Sequence, residues 1–199
     1  MKSFVVDFFM NIVVKDNKYG EIKLKEIRYG LEGLYLNISK LIVFLIINAL
    51  INNLWTSFLF ILFFIPIKGT SYGFHAKTSL QCWTISAICF VGLPYLANYI
   101  SINNSVIILL LIYIFFMFAF FSPADTPRKP ILSQIIRFKL RMLSLIVVII
   151  YSYLIFTFNS LTNIIIFVLL FQCLMINPLT YLLFNVQYDN YLYYKRSSG

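Results

Sequence analysis

The chain has one histidine, His75, and the cysteine Cys82 follows it seven residues later. The thiolate is the nucleophilic form of cysteine, and a neighbouring imidazole can take up the thiol proton. Imidazole titrates near neutral pH, so the same group can then protonate a leaving amine. The pair is suited to cutting a peptide bond, with Cys82 as nucleophile and His75 as base. The alternative is packing, since membrane helices often use cysteine as a small apolar residue.

The spacing of the pair constrains its geometry. Seven residues make about two helical turns, which would put both side chains on one helix face about 10 Å apart, too far for a hydrogen bond. Direct contact therefore requires His75 in a loop that folds back over the start of the helix carrying Cys82, where the helix N-terminus also favours thiolate. Gly69 and Gly73 give that loop backbone freedom. Three polar residues are candidates for orienting the histidine, with no preference among them: Ser79, Gln81 and Asp125.

The other two cysteines, Cys89 and Cys173, lie within apolar runs and have no histidine near them, so we interpret both as packing residues. Three cysteines without a CxxC pair argue against a disulfide framework and against a four-ligand zinc site. A single histidine with no acidic residue beside it does not support another metal site. The sequence therefore predicts no cofactor.

A second polar segment, 122–131, contains three prolines within eight residues. This density of proline predicts an ordered, non-helical turn. Asp125 is its one acid, and Arg128 and Lys129 are its basic residues. One interpretation is a basic loop that fixes membrane topology. The other is a clamp for an acidic peptide segment or its carboxylate.

The composition is that of a membrane protein. Of the 199 residues, 61% are hydrophobic and 12% are charged, whereas a soluble domain has about 25% charged residues. The net charge is +9, and the basic residues fall between long apolar runs. This distribution indicates membrane topology first, and it predicts no nucleic-acid partner. The same basic residues could bind anionic lipid headgroups or an acidic partner.

Six apolar runs are predicted to span the bilayer, which requires about 20 mainly apolar residues for each span. They are residues 35–51, 54–67, 78–97, 104–122, 141–158 and 162–184. Residues 1–34 are predicted to form amphipathic interfacial helices, which serve as an anchor or as a substrate-docking surface. We therefore predict an all-α integral membrane protein with one domain, 1–199, comprising this segment, a six-span core (35–184) and a cytosolic tail (185–199).

The charges fix the predicted topology. With six spans and a cytosolic N-terminus, the external connections contain no charged residue; they are 52–53, 98–103 and 159–161. The charge then lies on the cytosolic side, as the positive-inside rule requires. One long helix over 41–67 is the alternative, and it would place the basic proline-rich loop outside. We therefore predict a multi-pass protein of the bacterial cell membrane with both termini and the His75 loop in the cytoplasm.

The two polar motifs together resemble those of AgrB, the accessory gene regulator B proteins of Gram-positive quorum sensing. The first comprises Gly73-Phe74-His75-Ala76, Ser79 and Cys82, and the second runs from Pro123-Ala124-Asp125-Thr126 to Lys129-Pro130-Ile131. Chain length, span number and the amphipathic N-terminus fit that family as well. The resemblance covers nearly the whole chain.

The resemblance implies an integral membrane cysteine endopeptidase that acts as a homodimer. It would cut the acidic C-terminal tail from a small precursor peptide, AgrD, with His75 as base and Cys82 as nucleophile. The cleaved peptide would stay on Cys82 as a thioester until a cysteine or serine within it attacks. That attack would release a thiolactone or lactone ring, the autoinducing peptide.

Five residues near the motifs are expected to bind substrate: Lys68, Gly73, Lys77, Arg128 and Lys129. The family often has arginine seven residues before its histidine, where this chain has Lys68, and commonly two glycines before the motif, where it has Tyr72-Gly73. Lysine keeps the charge but lacks the bidentate fork of arginine. These departures concern substrate recognition more than catalysis.

Two alternatives from other classes stay open. A transporter or channel for a peptide or solute would also use six spans, but it predicts polar or charged groups within them, and these spans are nearly free of charge. A passive membrane scaffold for a sensor kinase is the second. Substitution of His75 or Cys82 would have only mild effects on a transporter or a scaffold, whereas it would abolish precursor cleavage by an endopeptidase.

Overall fold

The computed structural model describes residues 2–14, 20–76, 78–126 and 130–192, and these form an all-α protein. Six of its helical stretches are long and apolar enough to cross a membrane, which confirms the predicted fold class. In chain order the elements are α1 (Lys2–Val14), α2 (Glu21–Leu50), α3 (Leu54–Ser71), α4 (Ser79–Ala87), a π-helical segment (Ile88–Gly92), α5 (Leu93–Ala97), α6 (Asn104–Phe121), α7 (Gln134–Thr157), a 3₁₀ turn (Asn159–Leu161), α8 (Thr162–Ile176) and α9 (Pro178–Leu183).

The chain divides into two compact units, and the first, Met1–Ile51, consists of α1 and α2. The two helices pack against each other, and Arg28 donates a hydrogen bond to Asp7 at 2.8 Å. Between them lies an apolar groove of about 550 Å³, whose walls include Phe9 and Leu34. Helix α2 continues without a break past residue 34, so the second half of the predicted amphipathic segment and the first predicted span form one helix.

The second unit, Asn52–Gly199, is arranged around α8. This helix contacts α3, α5, α6 and α7, and most of its side chains are buried. Apart from Thr162, Asn163 and Gln172 its residues are apolar and lie on every side, which is typical of a helix that others surround. Large apolar side chains are instead exposed on the outer faces of α3, α6 and α7, among them Trp55, Leu109 and Ile149. An exposed apolar belt of this kind is what a lipid environment requires.

The connection at residues 51–53 separates the first two spans. Helix α2 ends at Leu50, Asn52 has a positive φ of 54°, and α3 begins at Leu54. Asparagine is the residue that, after glycine, most readily adopts this left-handed conformation. The alternative of one long helix over 41–67 is therefore wrong, and the six-span prediction is confirmed.

Two predicted span boundaries differ from the structure because capping residues, not apolarity, set the helix ends. The last span was predicted as 162–184, but α8 ends at Ile176, and Pro178, which has no backbone N–H, begins a separate short helix after an extended Asn177. The span predicted from 141 starts at Gln134. Its N-cap, Ser133, accepts a hydrogen bond from the backbone N–H of Ile136 at 3.4 Å.

Side-chain hydrogen bonds join the uncharged connections at one end of the second unit. Asn98 Nδ2 donates to Asn53 Oδ1 at 2.7 Å, and Asn163 Nδ2 donates to the carbonyl of Ala97 at 3.1 Å. At the other end, residues 71–76 meet residues 122–126 and the chain after α8. The predicted assignment of these ends to the outside and the cytoplasm stays a prediction.

Candidate active site

Cys82 lies in the first turn of α4, as the spacing argument requires. Thr78 caps this helix: its hydroxyl accepts the backbone N–H of Gln81 at 3.3 Å, and the side-chain carbonyl of Gln81 accepts the N–H of Thr78 at 3.4 Å. This reciprocal pair is a capping box, which fixes where a helix begins. The backbone N–H of Cys82 donates to the carbonyl of Thr78 at 3.1 Å, and the thiol side chain is half-buried. Cys82 is therefore at the helix end where unpaired N–H groups supply partial positive charge.

His75 lies outside the helices, in the segment that connects α3 to α4, and its side chain is exposed. The two candidate catalytic residues therefore do not share one helix. A helical arrangement would have kept them about two turns apart. In the structure, His75 lies in a loop. Direct contact with Cys82 requires a position of this kind.

The chain leaves α3 through a tight turn at Tyr72 and Gly73, with φ angles of 57° and 111°. A Cβ atom at Gly73 would lie 2.8 Å from the carbonyl oxygen of Met175, so both the backbone angle and the space require glycine there. Gly69, by contrast, lies inside α3 with open space around it. The expectation that Gly69 gives the loop its freedom is therefore wrong.

Backbone hydrogen bonds hold this turn against the second motif and against the end of α8. The N–H of Gly73 donates to the carbonyl of Ala124 at 2.8 Å, and the N–H of Ala124 donates to the carbonyl of Ser71 at 3.0 Å. The N–H of Phe74 donates to the carbonyl of Met175 at 2.7 Å. The histidine motif and the proline-rich motif, which lie far apart in sequence, are thus direct neighbours.

The side chain of Phe74 fixes the loop by packing against two aromatic rings. It is buried, and its ring lies 4.8 Å from the ring of Phe184 and 5.9 Å from that of Tyr181, measured between centroids. Burying an aromatic ring removes a large apolar surface from solvent and fixes the backbone on either side of it. The next residue, His75, accordingly points to the exposed side.

The carboxylate of Asp125 is occupied by structural hydrogen bonds. It is fully buried, and its oxygens accept the backbone N–H groups of Asn190 and Tyr191, each at 3.0 Å, and the guanidinium of Arg137 at 3.4 Å. A buried carboxylate is stable only when it is paired in this way. Among the candidates for orienting His75, Asp125 therefore has a structural role in the contact with Arg137 and residues 190–191.

The other two candidates occupy the start of α4. The side-chain carbonyl of Gln81 belongs to the capping box, and Ser79 is exposed at the first helical position. Neither observation assigns either residue to the histidine. The choice of a third catalytic residue among Ser79, Gln81 and Asp125 stays a prediction.

Tyr181 of α9 and the chain after this helix form an aromatic and charged cluster beside Asp125. Burial raises the pKa of Tyr188 to about 12 and also raises the pKa of Tyr181. Tyr181 uses its hydroxyl to donate to the carbonyl of Asp125 at 3.2 Å. Burial also raises the pKa of Asp189, although the nearby Arg137 partly opposes that shift.

A residue that no sequence motif marks, Gln172 of α8, contacts the same turn. Its Nε2 donates to the hydroxyl of Ser71 at 2.7 Å and to the carbonyl of Tyr72 at 2.6 Å, and its side chain is fully buried. The signal that could have revealed it is an amide in the interior of a core helix whose other polar residues, Thr162 and Asn163, lie at its first turn.

The residues predicted to bind substrate fall into two groups. Lys77, Arg128 and Lys129 lie outside the described residues. Lys68 is half-buried in the last turn of α3, close enough to Cys89 for an electrostatic interaction. Within the described part of the chain, no three His, Cys, Asp or Glu side chains gather as a group that could hold a metal ion.

An apolar cavity of about 420 Å³ lies next to the turn. Ile85, one helical turn beyond Cys82, lines it from α4, and Phe184, which packs on Phe74, lines it from the opposite side. Its remaining walls come mainly from α8 and include Phe171. The helix that carries Cys82 therefore lines, at Ile85, a space suited to an apolar group.

The fold and the site together define an integral membrane protein whose one histidine lies in a loop before a helix-terminal cysteine. A sequence profile of AgrB, accessory gene regulator B, matches residues 6–176. The chain therefore belongs to the AgrB family, and the resemblance noted from the motifs is confirmed. Family membership supports a role in quorum sensing and suggests involvement in peptide processing.

Individual relatives agree with this assignment. A putative AgrB-like protein of Listeria innocua serovar 6a is 31% identical over 183 residues, which cover 91% of this chain and 88% of the relative. One from Clostridium acetobutylicum is 27% identical over 208 residues, with 98% and 97% covered. The accessory gene regulator protein B of Staphylococcus aureus (strain Newman) is 31% identical over 134 residues, with 67% and 71% covered. No solved structure matches this chain significantly.

Proposed function

We propose that this protein is a cysteine endopeptidase of the bacterial cell membrane that acts on an AgrD-like precursor peptide. It removes the C-terminal tail of that peptide and promotes closure of the remainder to a thiolactone or lactone autoinducing peptide. One observation carries the proposal: Cys82 lies in the first turn of α4, directly after the tethered loop that bears His75. Family membership and the exclusion of a shared helix support it.

The first half-reaction is acyl transfer to the cysteine. His75 accepts the proton of the Cys82 thiol, and the sulfur attacks the carbonyl carbon of the scissile peptide bond. The C–N bond then breaks, and the imidazolium returns its proton to the leaving amine. The tail leaves as a free peptide, and the N-terminal part remains on Cys82 as a thioester.

The second half-reaction closes the ring. A thiol or hydroxyl within the bound peptide attacks the thioester carbonyl, its proton passes to His75, and the same proton returns to the Cys82 sulfur as the thioester bond breaks. When the attacking group is a thiol, one thioester replaces another, so the free energy changes little. The enzyme is regenerated in its starting protonation state.

Substrate recognition is proposed to combine charge and apolar contact. The basic residues Lys68, Lys77, Arg128 and Lys129 attract the acidic tail. The apolar cavity beside Ile85 takes an apolar part of the peptide. We further propose a cytoplasmic position for both termini and the catalytic loop, and a homodimer as the functional state.

Intact-mass spectrometry of the purified protein in lipid nanodiscs, mixed with its cognate precursor, tests the proposal. We expect a mass increase equal to the N-terminal precursor fragment, mapped to Cys82 and absent in Cys82→Ala. His75→Ala should slow adduct formation by about 10²-fold or more, since that is the usual contribution of a general base. The precursor tail should appear as the second product.

The other two cysteines supply the matched controls. Cys89→Ala and Cys173→Ala remove buried thiols within the spans and should leave the adduct on Cys82. An adduct that persists in Cys82→Ala would contradict the site assignment. Folded protein that yields neither adduct nor cleaved tail would favour the transporter or the passive scaffold instead.

A further inference from the structure

The side chain of Gln172 is a polar group at the centre of an apolar bundle. Helix α8 is otherwise built of residues such as Leu169 and Ile176, and Gln172 is buried as completely as they are. Moving an amide from water into an apolar interior is unfavourable unless hydrogen bonds replace those lost to water. If this position served packing alone, leucine or methionine would fill it at a lower cost. We therefore look for the role of Gln172 in its hydrogen bonds.

Both hydrogen bonds made by the amide go to the turn before His75. Nε2 donates to the Ser71 hydroxyl at 2.7 Å and to the Tyr72 carbonyl at 2.6 Å. Among the described residues, the other amide atom, Oε1, has no hydrogen-bond partner. The Oε1 acceptor of this buried amide is unused among these residues. The hydrogen bonding of Gln172 therefore comes from its Nε2 donor alone.

The turn needs support at this point because its backbone is strained. Tyr72 has a φ of 57° and a ψ of −123°, a region that residues other than glycine rarely occupy. Its carbonyl is the group that Gln172 holds. The Tyr72 carbonyl and the Gly73 N–H belong to one planar peptide unit. Gln172 holds this unit at its carbonyl, and Ala124 accepts its N–H, so the two hydrogen bonds together fix its orientation.

We propose that Gln172 is a positioning residue for His75: by holding Ser71 and Tyr72 it sets the path on which the loop carries the imidazole toward Cys82. The proposal rests on the proposed function, because it assumes that His75 serves Cys82 as base. Gln172 itself touches neither the substrate nor the reacting atoms. It acts through the turn, and its loss should affect the His–Cys pair more than substrate binding.

Gln172→Met tests this, because methionine fills a similar volume and removes both donors. The first readout is the rate at which iodoacetamide alkylates Cys82 as a function of pH, measured by mass spectrometry without substrate. Near neutral pH we expect that rate to fall about tenfold, as the loss of one to two buried hydrogen bonds implies, so that the profile approaches that of His75→Ala. The second readout is precursor cleavage, with kcat lowered about tenfold and KM unchanged.

The matched control is Thr162→Val at the opposite end of α8. It also deletes a buried side-chain donor, which binds the carbonyl of Ile155 at 3.0 Å. It should lower stability to a similar degree and leave both the alkylation profile and kcat unchanged. A positioning role predicts this difference between the two variants, whereas a purely structural role of Gln172 does not.

The outcomes separate this proposal from the one on which it rests. If His75→Ala slows alkylation of Cys82 and Gln172→Met does not, the positioning role is overturned and the catalytic pair stands. If His75→Ala changes neither alkylation nor cleavage, the catalytic pair itself fails. If Gln172→Met does not unfold cooperatively, Ser71→Ala replaces it, because it deletes one acceptor; an unchanged alkylation rate there would also overturn the positioning role.

Discussion

At the scale of single residues, the backbone next to the histidine restricts which side chains are tolerated. Tyr72 and Gly73 both have positive φ, and the resemblance described from the motifs implies two glycines at this point. A non-glycine residue in such a conformation costs of order 1–3 kcal/mol. The hydrogen bonds from Gln172 to the turn and from Gly73 to Ala124 offset that cost. The departure from the family pattern at Tyr72 is therefore accommodated by its surroundings.

Gly73→Ala should be severely disruptive, because the new Cβ would lie 2.8 Å from the carbonyl oxygen of Met175 at a φ of 111°. We expect the free energy of unfolding to fall by at least about 2 kcal/mol. Precursor cleavage should fall with it, because the loop bearing His75 must shift. Denaturant titration in detergent micelles and a cleavage assay measure the two effects.

Gly69→Ala provides the internal comparison. This glycine is helical and has open space where the Cβ would be placed, so alanine should stabilise α3 by up to about 1 kcal/mol. If Gly69→Ala and Gly73→Ala destabilised the protein equally, the conclusion that glycine is required at 73 and not at 69 would be contradicted.

Residue-level prediction from sequence succeeded where the argument was local. The seven-residue interval between His75 and Cys82 means that direct contact requires His75 in a loop, and the structure places it in one. The hydrogen bonds of Gln172, and those of Asp125 to residues 190–191, depend instead on contacts between residues more than 50 positions apart. Neither periodicity nor spacing encodes such pairs.

At the scale of elements, Asp125 joins three parts of the chain. Its carboxylate binds the backbone of residues 190–191 after α9, and its partner Arg137 belongs to α7. The guanidinium carbon of Arg137 also lies 3.5 Å from the centre of the Tyr191 ring, a cation–π contact. The proline-rich motif therefore serves as a structural joint as well as a candidate substrate clamp.

Asp125→Asn should weaken this joint strongly. The substitution removes the charge that pairs with Arg137 and turns an amide N–H₂ toward backbone donors, so we expect a loss of about 3 kcal/mol in the free energy of unfolding. Cys82 should remain reactive in the molecules that stay folded, because the carboxylate of Asp125 binds Arg137 and the backbone of residues 190–191. Denaturant titration and iodoacetamide labelling of the folded fraction measure the two quantities.

Asp189→Asn is the matched control, since Asp189 is 3.9 Å from the same guanidinium and its side chain is 39% exposed. Its pKa is raised in the folded state by burial, so ionisation disfavours the fold as pH rises through that pKa. Removing the charge should leave stability at neutral pH within about 0.5 kcal/mol of the parent, or slightly higher. If Asp189→Asn lowered the free energy of unfolding as much as Asp125→Asn, the greater structural importance assigned to the buried Asp125 would be contradicted.

Element boundaries illustrate why apolarity alone is an incomplete guide. The number of spans follows from apolar runs and charge, and the break at Asn52 agrees with it. The start of α7 at Gln134 and the end of α8 at Ile176 follow from the cap at Ser133 and from Pro178. These are local signals of helix start and stop that act inside or beyond the apolar run.

At the scale of the whole chain, the separation of charged from uncharged connections predicts how the protein sits in the membrane. The uncharged connections share one end of the second unit, where Asn98 binds Asn53 and Asn163 binds the carbonyl of Ala97. The candidate site and the proline-rich motif share the other. The positive-inside rule assigns the second end to the cytoplasm.

Cysteine labelling in cells measures this orientation. In a chain with Cys82→Ser, Cys89→Ala and Cys173→Ala, a membrane-impermeant maleimide should label Ser101→Cys in intact cells and Leu132→Cys only after permeabilisation. Both positions are exposed and belong to opposite ends. Asn159→Cys should behave like Ser101→Cys, because its connection lies at the same end. The reverse pattern would place the histidine loop outside the cell, where a precursor made in the cytoplasm could reach it only after crossing the membrane.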